Sequence, residues 1–177
     1  MKVTGNKIRE ALRRAVFRRQ ILDQQFSTTL YAFEGEQKAT PQATAEEFQK
    51  ADSDVAMLQA IQQYFNQNTI VKTSDGKMPL ALAIKLIGGA GRVEKMWREA
   101  AGGGKKDRYA YDGERKTRNK DEIRAELQVT PEESLKKADK AARRASSLRE
   151  AIADGNAKEM KIDNEDVSFE IPSDLLD

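Results

Sequence analysis

The chain has 177 residues, 38% hydrophobic and 34% charged, which fits one domain with room for a small appendage. It holds neither cysteine nor histidine, which excludes disulfides, thiol chemistry, Cys/His zinc sites and the usual near-neutral general base. No run approaches the ~18 apolar residues of a membrane span, and "MKVTGNKIREALRR" lacks a signal-peptide core; a cytoplasmic protein of a bacterial host cell, without a membrane partner, is expected.

Net charge is +2, but it is unevenly spread. From Glu159 to Asp177 seven acids stand against Lys161 alone, so the remaining residues carry about +8. A basic body with an acidic tail points to an anionic partner, or to a tail that masks the basic face.

A first helix is expected from Asn6, its cap, to Phe33, with Gly35 ending it. Ile8, Leu12, Ala15, Leu22, Phe26, Leu30 and Phe33 form its apolar stripe, and Arg19 interrupts that stripe. Arg19 either snorkels or points into a polar pocket. Thr44 and Glu47 have the spacing of a capping box, opening a second helix over 45–66 with Phe48, Ala51, Val55, Leu58, Ile61 and Phe65 on one face. These two helices read as an antiparallel hairpin.

Asp75-Gly76 is a turn dipeptide and Pro79 suits the first turn of a third helix, Met78–Ala101, with Leu82, Leu86, Gly89, Val93, Met96/Trp97 and Ala100 facing inward. Its centre, "IGGAGR", carries three glycines, each costing about 1 kcal/mol against alanine. That cost implies close helix–helix approach or a kink, with a backbone-lined ligand site as the alternative.

Gly102–Gly104 end the third helix. "RYAY", Asp112-Gly113 and the residues Glu114–Arg118 then read as a basic β-hairpin at about 105–118. Thr130-Pro131-Glu132-Glu133 starts a fourth helix over 131–154, burying Leu135, Ala138, Ala142, Ala145, Leu148 and Ile152 and stopping at Gly155-Asn156. "KEMKI" and "VSFEI" around "DNED" suggest a second small hairpin. The expected fold is mainly α: an antiparallel long-helix bundle over 1–157 with a basic hairpin, and an acidic C-terminal hairpin or tail over 158–177 in the same domain. Its Ala-rich helices are expected to finish burying themselves in a homo-oligomer.

The segments "FNQNTIVKTSDGKMPLALA", "KKDRYAYDGE" and "SLKKADKAARRASSLREAIADGNA" resemble the septicolysin-like family of small bacterial proteins, over roughly residues 5–157. The family carries an Arg-Asp pair where this chain has "GGAG". The resemblance implies a helical, oligomeric protein and supplies no activity.

A phosphate-gripping P-loop at Gly104-Lys105 would need glycine where Glu99 stands and Ser/Thr where Lys106 stands. "GGAG" follows no apolar strand, which removes a dinucleotide-binding fingerprint. Neither a catalytic residue nor a metal or cofactor site is expected. Between Gly102 and Lys120 there are seven basic residues against three acids. Arginine forks suit phosphate and tyrosine faces suit bases, so Lys105, Lys106, Arg108, Tyr109, Tyr111, Arg115 and Arg118, with Arg18, Arg19 and Arg92, are the candidate ligand-binding residues. The function expected is a non-enzymatic, oligomeric binder of a small anionic, nucleotide-type ligand, such as a phage or bacterial protein that sequesters a nucleotide signal. The alternatives are a helical interaction protein and a non-specific nucleic-acid binder.

Overall fold

A computed structural model describes residues 1–31, 35, 40–102 and 128–176. Their order is β1 (Lys2–Thr4), α1 (Gly5–Thr29), α2 (Pro41–Asn68), β2 (Ile70–Thr73), β3 (Gly76–Pro79), α3 (Leu80–Ala101), α4 (Pro131–Ala157), β4 (Glu159–Lys161) and a short α5 (Asn164–Val167). The chain is mainly helical, with two small antiparallel sheets. Helix α1 packs along α2, and α3 along α4, while the two pairs touch each other far less. They meet at one end, where the start of α1, the end of α2, the start of α3 and the end of α4 converge on the strands.

Large apolar side chains concentrate at that junction. Ile8, Leu58, Ile61, Phe65, Leu80, Leu148 and Ile162 are all essentially inaccessible to solvent, each stabilising the fold by about 1.5–3 kcal/mol through burial. Two glycines let the helices come this close. A Cβ on Gly5 would lie 2.6 Å from Asn156 Oδ1 and 2.7 Å from the Phe65 ring, and one on Gly155 would lie 2.6 Å from Val71 Cγ1. Gly155-Asn156 therefore does not stop the fourth helix; both residues are buried within it, and α4 continues to Ala157.

Several local signals act as read. Thr130 and Glu133 satisfy each other's backbone N–H groups at 3.2 and 3.1 Å in a full capping box, with Pro131 in the first turn of α4. Helix α2 starts a turn earlier than expected, because Thr40 followed by Pro41 already caps it. Thr44 lies inside the helix, donating to the Thr40 carbonyl at 3.2 Å. Thr4 rather than Asn6 caps α1, accepting from the Lys7 N–H at 3.2 Å. Asp75-Gly76 turns a complete hairpin, pairing Ile70 with Pro79 and Thr73 with Gly76. Gly76 takes the positive φ (+112°) that the turn requires.

Three further expectations are corrected. The acidic segment after 158 does not form a hairpin of its own: β4 pairs antiparallel with β1, Val3 opposite Met160, and "VSFEI" contains no strand. The reason is that β1 offers β4 an edge at the junction, while Asp163 opens the short helix α5 in a capping box with Asp166. On α3, Leu82, Val93 and Met96 are 44%, 43% and 52% exposed; the buried positions are Leu80, Ala83 and Ala90, one residue round the helix. Alanines at 83 and 90 allow close approach to the alanine face of α4, which the bulkier stripe would hold off. The glycine run is not a close approach either, since no atom lies within 4 Å of a Cβ built on Gly89 or Gly91.

These contacts separate two glycine substitutions. Gly155→Ala overpacks the junction and is expected to destabilise by about 1–3 kcal/mol, whereas Gly91→Ala removes only backbone freedom and stabilises by about 0.5–1 kcal/mol. Urea unfolding of the two variants measures the opposite signs.

Asp166 ties the C-terminal segment to α2, accepting from the Asp163 N–H and from the Tyr64 hydroxyl, each at 2.8 Å. Those two bonds, the backbone one first, hold its carboxyl below the ordinary value of 3.8. A depressed folded pKa gives stabilisation that is complete above the unfolded value and disappears as pH falls through the folded one. The Asp163 amide is therefore expected to lose protection against hydrogen exchange below about pH 3.8, with Asp166→Asn abolishing that acid-dependent step.

Candidate functional site

A groove of about 820 Å³ lies between α3 and α4, reaching to the β2–β3 turn. Helix α3 contributes Ala90, Val93 and Trp97. Helix α4 contributes Lys136, Lys137, Asp139, Lys140, Ala141, Arg143 and Arg144, and the turn adds Ser74 and Asp75. Positions 136, 137, 140, 143 and 144 share one helical stripe, next to the alanines that face α3. Small residues bring the two helices together, and the long cations beside them form the wall.

The β2–β3 turn is pinned to that wall. Arg144 donates from both Nε and Nη2 to Asp75 Oδ2, each at 2.7 Å, and the Ser74 N–H donates to Ser147 Oγ at 2.8 Å. Asp139 pairs with Arg98 at 3.7 Å, and Lys136 with Glu132 at 2.8 Å. Both groove carboxylates are thus held by arginines, neither being placed as a free acid–base group or metal ligand. No group of three or more Asp or Glu side chains that could hold a metal is found among the described residues.

The other cations are less committed. Lys137 Nζ sits 4.2 Å from the centroid of the Trp97 ring, a cation–π contact. Lys140 and Arg143 make no ion pair among the described residues. The groove therefore combines an indole face with Lys140 and Arg143, which pair with no carboxylate among the described residues.

The candidates drawn from the sequence are not gathered there. Lys105, Lys106, Arg108, Tyr109, Tyr111, Arg115 and Arg118, with the basic hairpin that was to carry them, lie outside the described residues. Arg18 and Arg19 are on α1 and answer to α2: Arg18 is 3.8 Å from Glu47, and Arg19 is 2.7 Å from Asp52. Arg19 is thus neither snorkelling nor in a pocket; it makes an ion pair between helices. Arg92 is exposed on α3, in the other helix pair. Sequence reasoning missed the α4 stripe, although "KKADKAARR" spaces its cations along one face.

No family model, curated protein or solved structure matches the chain. Function is therefore argued from the groove itself. No helix of the described residues is long and apolar enough to cross a membrane.

Because the Asp75–Arg144 pair is partly exposed, Arg144→Ala is expected to cost at most about 1 kcal/mol in global stability. Its local effect is larger: the Ser74 and Asp75 amides should exchange faster with solvent, with Ser147 left as the turn's tie to α4. Hydrogen-exchange mass spectrometry across residues 70–79 reads this directly.

Proposed function

We infer that the α3–α4 groove binds a small anionic ligand bearing a flat aromatic ring, a nucleotide-type molecule, and that the chain holds this ligand without transforming it. The observation that carries the reading is Trp97, Lys137, Lys140 and Arg143 lining one groove. A base stacked on the indole displaces the Lys137 ammonium from the ring, and the freed cation turns to the phosphate beside Lys140 and Arg143. Arg143 supplies a bidentate fork for phosphate oxygens, and the lysines supply point charges. A groove of about 820 Å³ suits one or two nucleotide units, within the ~300–1,000 Å³ of small-molecule sites. Holding without chemistry fits a chain without histidine or cysteine whose groove carboxylates are both engaged by arginine. Such a protein acts by sequestration, lowering the free concentration of a nucleotide signal in a phage-infected or bacterial cell.

Trp97 is the single tryptophan of the chain, so its fluorescence reports the groove alone. Titration with AMP, ADP-ribose and cyclic dinucleotides is expected to change that emission for at least one of them, with matching heat by calorimetry. Removing the stacking ring in Trp97→Ala is worth about 1–3 kcal/mol, roughly a 5–150-fold loss of affinity measured by calorimetry. Arg143→Ala is expected to weaken binding by about tenfold or more through the lost charge-assisted bonds. Absence of binding to every nucleotide, or binding unaltered by both substitutions, rejects the reading. Binding of long single-stranded RNA in preference to the nucleotides, with steep salt dependence, assigns the groove to nucleic acid instead.

A further inference from the structure

The α3–α4 groove presents three kinds of chemistry in order along one wall. Trp97 lies at one end, with Lys137 against its ring. Lys140 and Arg143 follow, and Arg144 stands at the other end with Asp75 of the β2–β3 turn. From Lys137 to Arg144, helix α4 rises by about 10 Å. Aromatic face, cations and carboxylate are therefore spread along the groove rather than gathered at one point.

A carboxylate repels phosphate, so Asp75 calls for a different ligand group. Its position is fixed from several sides. The Asp75 N–H donates to Thr73 Oγ1 at 3.1 Å, the Ser74 N–H donates to Ser147 Oγ at 2.8 Å, and Arg144 donates twice to Asp75 Oδ2 at 2.7 Å. Among the described residues Oδ1 is left with the Ser74 hydroxyl at 3.5 Å, too long for a strong bond. Each carboxylate oxygen can accept two hydrogen bonds, so Oδ1 keeps capacity for a donor from a ligand in the groove. Arg144 is already engaged by Asp75, which makes this end an acceptor of hydrogen bonds and not a seat for a terminal phosphate. Resting on the reading of the groove as a nucleotide site, we propose that its ligand carries a hydroxyl-bearing sugar beyond the phosphates, as a nucleoside diphosphate sugar does, and that Asp75 Oδ1 accepts from a hydroxyl of that sugar. The base stacks on Trp97, the phosphates lie against Lys140 and Arg143, and the sugar reaches the turn. A nucleotide that ends in phosphate either stops short of Asp75 or brings its terminal charge against the carboxylate.

ADP and ADP-ribose are matched probes. They share base, first ribose and both phosphates, and ADP carries the greater negative charge because it ends in a phosphate monoester. Attraction to cations alone therefore favours ADP, whereas a hydrogen bond to Asp75 favours ADP-ribose. UDP and UDP-glucose repeat the comparison with another base. Calorimetry of the full chain, with Trp97 fluorescence alongside, is expected to give the sugar-bearing member of a pair the tighter binding by about tenfold or more. Asp75→Ala is expected to reverse that order, weakening ADP-ribose and tightening ADP as Arg144 is released to phosphate. In the parent chain, ADP and UDP binding as tightly as their sugar-bearing partners overturns the proposal and leaves the nucleotide site standing. An Asp75→Ala effect equal on both members of a pair overturns it too, since release of the turn alone weakens both alike. Silence in both pairs removes the sugar-reading end, and silence towards AMP and cyclic dinucleotides as well removes the nucleotide site with it.

Discussion

The structure depends on how closely four helix ends approach at one junction. Gly5 and Gly155 provide that approach from opposite sides, the first against Phe65 and Asn156, the second against Val71 and Leu80. Any side chain at either position would push a helix away from the strands that knit the ends together. Of the buried polar groups there, the Asn156 amide donates to the Ile152 carbonyl at 2.7 Å, while the Thr69 hydroxyl between α2 and β2 has no partner among the described residues. The N-terminal ammonium and the Ile162 N–H both bond within the same region, the latter to the Met1 carbonyl at 2.8 Å. Away from the junction the chain forms two rods, the first burying Ala11, Leu22, Ala51 and Val55 and the second Ala83, Ala90, Ala138, Ala141 and Ala145.

That division explains where apolar surface is left over. A junction rich in Phe, Ile and Leu is fully buried, whereas rods only two helices thick bury one stripe per helix and expose the rest. Phe17 at 63% exposure on α1 and Met96 at 52% on α3 show the same consequence in the two rods. In the α3–α4 rod, the small residues that bring the helices together also fix the groove. The bulky Trp97 and the long cations of α4 cannot enter the contact and so stand along its edge, where the pinned β2–β3 turn closes one end.

Elements whose signals are local could be read from the sequence alone: the α4 capping box, the α2 stripe from Ala51 to Phe65, and the turn at Asp75-Gly76. Readings that depended on tertiary partners failed. A glycine followed by asparagine stops a helix when solvent surrounds it, but at 155–156 the surroundings are Val71, Leu80 and Gly5, and the same glycine becomes a packing device. Two apolar stripes compete on α3, and the sequence favours the bulkier one, while the alanines of α4 select the smaller. The C-terminal strand was legible as a strand; its partner was not, because β1 is only three residues long and carries little pattern of its own. The cations of "KKADKAARR" could not be singled out from the sequence, because their placement beside Trp97 and the β2–β3 turn is a tertiary fact.

Charge placement sharpens the distinction between the two rods. The acidic C-terminal segment does not trail into solvent; it returns to the first rod, where Leu175 and Leu176 are buried, Arg14 donates to the Leu176 carbonyl at 3.2 Å, and Lys50 meets Asp174 at 3.9 Å. Much of the positive charge of α1 and α2 is thereby opposed by the tail, or by Glu47 and Asp52. No such segment among the described residues returns to α4. Lys137, Lys140 and Arg143, which make no salt bridge among the described residues, stand together along the groove and give that wall a local positive potential.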